Sequence, residues 1–300
     1  LIVGDANGIT ATAQAVESAD TGGNASLLYL STTEVYNPGT GGTSHTAFGK
    51  DSGVNLGTGT GNALFGEGAG ADLSTGEHNT AIGYRTIYQG TTETNDNVAI
   101  GYNAMSGAWT TASVIDCVVI GSGAGAGALV AAASGATLIG KGAGAALTEG
   151  EKNTAIGFEA LKTSVDGDEN TAVGYEALET YEGSNGDGAN SADGAQAMQA
   201  TTTGQVNVAV GAGALGGAAL TANANVAVGK SAASLLTSGG SNIAIGYNAL
   251  QVHATGDRNI VIGANAVDDS DAANATDSDD NIFIGYDAGG GTWGTSKNIS

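Results

Sequence analysis

The residues best suited to catalysis are few in this chain and form no recognised motif. Its histidines are His45, His78 and His253, and its single cysteine is Cys117. None has the spacing of a serine or cysteine hydrolase or of a zinc-binding protease. The glycine-rich run 121–125 lacks the strand–turn–helix context that a phosphate-binding loop requires. We therefore predict that the chain is not an enzyme, has no catalytic residues and holds no bound cofactor.

Carboxylates are abundant, with 30 Asp and Glu against 8 Lys and Arg and a net charge of −22. So many acids make any choice of a catalytic carboxylate pair uninformative. The charge argues against nucleic acid and anionic membranes as partners, because both select basic surfaces. The acids concentrate in runs such as 166–169 and 268–280, which we interpret as a solvated, self-repelling surface. A few structural Ca²⁺ ions in these acidic loops are the alternative.

A short sequence motif recurs fourteen times, and its clearest copy is Asn-Thr-Ala-Ile-Gly-x-x-Ala-Leu over 153–161. Successive copies begin 17 to 22 residues apart. Because a unit this short cannot bury a core alone, each copy must be one coil stacked on the next. We predict an all-β parallel β-roll or β-solenoid of about 14 coils over residues 44–300, with two short strands in each coil. Residues 1–43 are predicted to be an irregular insertion or junction with a partial coil. The repeat glycines are Gly49, Gly66, Gly83, Gly101, Gly121, Gly140, Gly157, Gly174, Gly194, Gly211, Gly229, Gly246, Gly263 and Gly285.

Asparagine stands four residues before the repeat glycine in eleven of the fourteen copies. Stacked side-chain amides can hydrogen-bond up and down a rod, so we predict a structural role for this column. A ligand-binding asparagine would not need so many copies. The column consists of Asn62, Asn79, Asn97, Asn153, Asn170, Asn190, Asn207, Asn225, Asn242, Asn259 and Asn281.

The strand before each glycine is apolar on both faces. In Ile243–Ile245 the two isoleucines share one face and Ala244 points to the other. We predict that the larger side chains, including the threonines that share a column with Ile243, fill the inside of the coil. That interpretation argues against ice binding, which favours a regular exposed threonine array. A strand apolar on both faces is buried on both, so we assign the small column to a chain–chain interface. Its residues are Ala155, Ala172, Ala209, Ala227 and Ala244.

The segments 153–161, 170–178 and 242–250 resemble the head repeats of trimeric autotransporter adhesins. With the tyrosine after the glycine, they look even more like repeats in phage tail fibres. The resemblance covers roughly residues 44–300. It implies a homotrimer of left-handed parallel β-rolls, intertwined or side by side. It also implies a non-catalytic shaft of an extracellular fibre. The first candidate is a virion tail fibre involved in host attachment. A bacterial surface adhesin or another extracellular filament is the alternative.

Longer connections between repeats are predicted to project from the rod and to carry any receptor contacts. Trp109, Tyr181 and Trp293 lie in such connections and are candidate contacts for a host surface glycan. A carbohydrate- or ice-binding solenoid is therefore a further alternative. The longest apolar tract, 121–147, keeps the repeat and predicts no membrane insertion. Both ends of the chain read as partial repeats, so flanking fibre or virion modules are expected.

Overall fold

The computed structural model describes residues 45–90, 93–109, 113–129, 133–183, 188–268 and 279–289. This part of the chain forms an all-β parallel β-solenoid of about 12 turns without an α-helix. Each of the fourteen sequence repeats supplies one strand to a single 14-stranded sheet. The predicted solenoid class is therefore confirmed. The junction predicted over 1–43 lies outside the described residues.

The strands of the large sheet are short, and each pairs in parallel with the strand one turn away. In chain order they are β1 Thr46–Phe48, β2 Ala63–Phe65, β3 Thr80–Ile82, β5 Val98–Ile100, β7 Val118–Ile120, β8 Thr137–Ile139, β9 Thr154–Ile156, β10 Thr171–Val173, β11 Ser191–Asp193, β12 Val208–Val210, β13 Val226–Val228, β14 Ile243–Ile245, β15 Ile260–Ile262 and β16 Ile282–Ile284. A separate parallel pair consists of β4 Gln89–Gly90 and β6 Ala108–Trp109.

The second strand predicted for each coil is not formed, and the opposite side of most turns is irregular. Three positions in each turn have left-handed backbone, for example Lys152, Glu159 and Leu161 with φ of 54°, 53° and 52°. Such residues cannot continue an extended strand. Backbone hydrogen bonds still join this side between turns, as where Thr237 N donates to Ala254 O at 2.8 Å. One sheet and one irregular wall therefore enclose the core.

Glycine is needed at the repeat position for two reasons, its backbone conformation and the close approach of the neighbouring turn. The fourteen glycines have φ between 129° and 147°, which L-residues with a side chain rarely adopt. The glycines also stack directly on one another. A β-carbon added at Gly211 would lie 2.7 Å from the carbonyl carbon of Gly229 in the next turn. The glycine column thus permits both the corner after the strand and the close approach of successive turns.

The middle residue of each strand points into the solenoid, so the interface predicted for the alanine column is on the wrong face. Ala155, Ala172, Ala209, Ala227 and Ala244 are all 0% exposed in the single chain. The larger strand residues, such as Ile243 and Ile245, point outward instead and are half-buried or exposed. The physical reason at four of these alanines is that a larger residue of the same turn already fills the space above the alanine, whereas Ala227 has the small Ala233 opposite.

That residue stands four positions after the repeat glycine. In the turn of Gly157, Ala155 leaves room for the fully buried Leu161. In the preceding turn the sizes are exchanged, with Leu138 in the strand and Gly144 opposite. A β-carbon added at Gly144 would lie 2.7 Å from Leu138 Cδ2. In most turns the core therefore holds its volume by pairing one large residue with one small one, and the exceptions are Ala47 with Gly53, Ala227 with Ala233 and Val261 with Val267. The other large strand residues with a glycine opposite are Leu64 with Gly70, Val119 with Gly125 and Phe283 with Gly289.

Candidate functional site

The most extensive functional surface is the outer face of the large sheet, called the sheet face below. It consists of the first and last residues of the fourteen strands. In the single chain its side chains are partly or largely open to solvent, for example Phe48 at 40%, Ile245 at 38% and Ile284 at 60%. Strand spacing and residue rise give an area of about 60 Å by 10 Å. A continuous apolar surface of this size typically marks an interaction site.

Charge is almost excluded from the sheet face. Two outward positions in each of 14 described strands give 28 positions, of which one, Asp193, is charged. The other 29 of the 30 acidic residues of the chain lie elsewhere. Solvent alone does not require such an exclusion, because a charged outward column would improve solubility. The face therefore has the composition of a surface that another molecule covers.

The asparagine column lies inside the turn and forms a hydrogen-bonded ladder. Asn225 is typical, because its backbone N and its side-chain Nδ2 both donate to Asn207 Oδ1, at 2.9 and 3.1 Å. Asn207 Nδ2 in turn donates to Asn190 Oδ1 at 3.3 Å and to the Ala222 carbonyl at 2.9 Å. The amides tie the start of each strand to the turn on either side. Nothing in this buried arrangement is open to a ligand.

The ladder has a break at two neighbouring turns, where Cys117 and Ala136 replace asparagine. Cys117 N still donates to Asn97 Oδ1 at 2.9 Å. Its thiol is buried, and this desolvation raises the pKa of the thiol above its ordinary value. At the lower end of the described column, His45 Nδ1 accepts a hydrogen bond from Asn62 N at 3.3 Å. Both residues therefore act as substitutes within the ladder.

The three histidines lie in different turns. His45 belongs to the ladder, while the exposed His78 Nδ1 lies 3.4 Å from Asp96 Oδ1. His253 is buried on the irregular side of a later turn. The turns separate these imidazoles from one another and from Cys117. Their placement gives no support to a shared catalytic centre.

Several acids between repeats act as caps for the neighbouring turn. Asp168 Oδ1 accepts from Glu151 N at 2.7 Å, and Asp257 Oδ1 accepts from Gly240 N at 2.7 Å. Arg258 Nε lies 2.7 Å from Asp280 Oδ1, and this hydrogen bond raises the pKa of the guanidinium. These carboxylates therefore have a structural use. Three acids of the predicted loops, Asp269, Asp271 and Asp277, lie outside the described residues.

One group of carboxylates in the described part, Glu159, Glu176 and Glu179, has oxygens within 4.8 Å of one another. Lys162 Nζ occupies this group, at 2.7 Å from Glu159 and 3.7 Å from Glu179. A hydrogen bond from Tyr175 lowers the pKa of Glu176, and Gln199 Nε2 also donates to this carboxylate at 2.7 Å. Lysine and amide groups thus donate to carboxylate oxygens that would otherwise be available to bind a cation. The calcium alternative stays a prediction.

The three candidate glycan contacts have different outcomes. Tyr181 is 0% exposed and cannot contact a glycan, so this prediction is wrong. Its ring lies inside the turn against Gly167 and Gly183, where the absence of side chains leaves room for it. The backbone of Trp109 lies in β6, and its side chain is outside the described residues. Trp293 is outside them altogether.

The structure brings the aromatic residues that follow the repeat glycines into one column on the surface. The residue directly after each repeat glycine stands at an exposed corner, called the corner column below. Tyr84 stacks on Tyr102 with ring centroids 5.3 Å apart, and Phe158 stacks on Tyr175 at 5.4 Å. Lys141 Nζ lies 5.4 Å from the Phe158 ring. The sequence signal was five tyrosines and a phenylalanine at this one position, but the stacking required the turns to be in register.

The chain matches no protein-family model, and no curated protein is similar to it at a significant level. Among the described residues, no helix has the length and apolar character needed to cross a bilayer. Functional inference therefore depends on the geometry of the solenoid itself.

Proposed function

We propose that this chain is a non-catalytic shaft of an extracellular trimeric fibre, and in the first place of a phage tail fibre involved in host attachment. The observation that carries this proposal is the sheet face, a largely apolar strip along the whole described rod with Asp193 as its one charged residue. The alternatives within the same functional class are a bacterial surface adhesin and another extracellular filament.

A second copy of the same chain is the partner that the sheet face fits best. Its side chains recur once per turn at a spacing of about 4.8 Å. A partner with the same spacing can pack in register along the full strip, whereas a globular partner would match only part of it. The strip of about 600 Å² is somewhat smaller than the roughly 800 Å² per partner of standard stable interfaces. Three copies around one axis, as the family resemblance implies, would close these faces into one apolar core.

The first test measures mass and shape. Light scattering should give three times the chain mass of 28.9 kDa. Small-angle scattering should give a rod whose solenoid part is about 60–70 Å long. A monomer, or a compact globule of the same mass, would contradict the proposal.

The second test uses two substitutions in adjacent turns. Ile245→Glu places a charge on the sheet face and should separate the copies while the single chain stays folded. Ala227→Glu places the charge inside the solenoid, where Ala227 is 0% exposed, and should unfold the turn itself. Circular dichroism and light scattering distinguish the two results. If Ile245→Glu leaves the assembly unchanged, the sheet face is not the interface.

One structural finding favours a second candidate, an ice-binding solenoid. The threonines at the first strand position, Thr137, Thr154 and Thr171 among them, lie outward on a flat sheet rather than in the core. The prediction that these threonines fill the inside of the coil is therefore wrong, and their burial no longer counts against ice binding. The adjoining outward column still consists of Ile, Val and Phe with the exception of Asp193, so the threonine array is one column wide. Measurement of thermal hysteresis decides this candidate, and strong activity would place it above the fibre.

A further inference from the structure

The corner column carries the most exposed aromatic side chains of the described chain. Tyr102, Tyr175, Tyr247 and Tyr286 are 57%, 49%, 51% and 78% exposed. Five of the six aromatic residues in the corner column are tyrosines, which combine an apolar ring with a polar hydroxyl, and the sixth is Phe158. This composition differs from that of the sheet face, where aliphatic side chains dominate. An amphipathic column of this kind suits a ligand that has both apolar and hydroxyl-bearing surfaces.

At one point in the corner column, a small residue lies between two aromatic residues. Tyr247, Ala264 and Tyr286 occupy the corner position in three successive turns. Their strands pair directly, Ile245 with Ile262 and Ile262 with Ile284. Two strand spacings separate the tyrosines by roughly 10 Å. Elsewhere in the column, aromatic rings one turn apart stack at 5.3–5.4 Å. The alanine therefore leaves a slot with room for one six-membered ring between the two tyrosines.

The walls of the slot are held by the backbone. Asn265 N donates to the Tyr247 carbonyl at 2.8 Å, and Asp287 N donates to the Ala264 carbonyl at 3.1 Å. These bonds connect all three turns at the corner itself. A slot fixed in this way requires little ordering when a ligand enters, which favours binding.

The polar groups beside the slot are neutral amides with one base and one acid. Lys230 precedes Tyr247 in the column, Asn248 and Asn265 follow Tyr247 and Ala264, and Asp287 follows Tyr286. In the turns of Lys230, Tyr247 and Ala264, neither the corner residue nor the next residue is acidic, although the chain has 30 acids. Amide and phenol groups can both donate to and accept from hydroxyl groups, and a carboxylate can accept from them. A nucleobase is a poor occupant because the chain has a net charge of −22.

We propose that the slot between Tyr247 and Tyr286 binds a pyranose ring of a saccharide chain. Each apolar C–H face of the sugar packs against one tyrosine ring, and the amide of Asn248 binds its hydroxyl groups. Glycosidic bonds leave such a ring roughly in its own plane, so neighbouring sugar residues extend away from the slot across the rod. Lys230, one turn before Tyr247 in the corner column, is the nearby cation for the carboxylate of an acidic residue. This site belongs to the single chain and does not depend on trimer formation.

The test titrates the intact chain with three probes: cellohexaose, mannohexaose and hexagalacturonate. Saturation-transfer NMR on the sugar protons and tyrosine fluorescence report binding. At least one probe should bind at millimolar concentrations, and a preference for the galacturonate would assign the acidic class. Ala264→Tyr fills the slot with a ring that the column accepts elsewhere, so it should lower the affinity about tenfold or more while the fold is kept.

Tyr175→Ala is the matched control, because Tyr175 is an exposed corner tyrosine with an aromatic neighbour on one side only. It should keep the affinity of the unmodified chain. The proposal is overturned if none of the three probes binds, if Ala264→Tyr binds as well as the unmodified chain, or if Tyr175→Ala loses as much. A change of oligomeric state in Ala264→Tyr would place the corner column in a chain–chain contact and would also overturn it. The fibre proposal could still hold in each of these cases.

Discussion

At the scale of single residues, the asparagine ladder couples each turn to the next through buried amides. Each amide satisfies backbone groups at the strand start that would otherwise be buried without partners. The column tolerates replacement at Cys117 and Ala136, so a single missing amide does not prevent folding. Its contribution should therefore appear as a loss of stability and not as a loss of fold.

We predict that Asn207→Ala destabilises the rod by roughly 2–4 kcal/mol, because two buried partners lose their hydrogen bonds at once. These partners are Asn225 N and the Ala222 carbonyl, each 2.9 Å from the Asn207 side chain. Urea unfolding measures the change, and Lys230→Ala on the exposed corner is the control, with an expected effect within about 0.5 kcal/mol. Equal effects of the two substitutions would show that the ladder contributes no net stability.

The lone thiol gives a second prediction at this scale. Burial raises the pKa of Cys117, so the reactive thiolate is scarce and shielded near neutral pH. Alkylation by iodoacetamide at pH 8 should be at least about tenfold slower in the native chain than in denaturant. Mass spectrometry at timed intervals gives both rates. Rapid native labelling would mean that this turn opens readily.

At the scale of the turn, core volume is divided between the middle strand residue and the residue four positions after the glycine. Ala155 with Leu161 and Leu138 with Gly144 are the two opposite solutions in adjacent turns. The left-handed backbone at position four is kept in both, with φ of 52° at Leu161 and 56° at Gly144. The arrangement therefore permits exchange of the two side chains.

A double-mutant cycle should show this exchange. Gly144→Leu alone overfills the turn and should cost about 1–3 kcal/mol, and Leu138→Ala alone leaves a cavity and should cost about 2–5 kcal/mol. The double variant reproduces the pattern of Ala155 and Leu161 and should recover most of the loss. Thermal or urea unfolding of the four proteins gives the coupling energy. Additive costs would mean that the two positions do not share one space.

At the scale of the whole molecule, the sheet face has one charged residue, Asp193, in an otherwise uncharged strip. If identical copies pack in register through this face, each Asp193 meets its own counterparts in an apolar contact. A buried carboxylate without a positive partner is unfavourable. The fibre proposal therefore singles out this turn as the weakest part of the assembly.

We predict that Asp193→Val strengthens association about tenfold or more, while the folded single chain changes little because Asp193 is exposed in it. Sedimentation over a dilution series measures the association. Ala212→Val, at an exposed corner position outside the sheet face, is the control and should leave the dissociation constant unchanged. Weaker association of the Asp193 variant would indicate that the carboxylate has a favourable partner in the assembly.

The sequence alone determined the solenoid, its period and its buried asparagine column. These follow from recurrence, because residues separated by one period must occupy equivalent places in stacked turns. The glycine and asparagine columns therefore agree with the register of the 14-stranded sheet, in which equivalent residues of successive repeats pair.

Only the tertiary structure decided which face of the strand is the inside. Alternation shows that Ala244 and Ile245 point in opposite directions, but both are apolar, so hydrophobicity does not distinguish the faces. Leu250 determines which face points inward. Its left-handed backbone directs its side chain over Ala244, and this side chain fills the turn. For the same reason Tyr181 was predicted outside and lies inside. Side-chain volume across the turn, which no local pattern encodes, determined both positions.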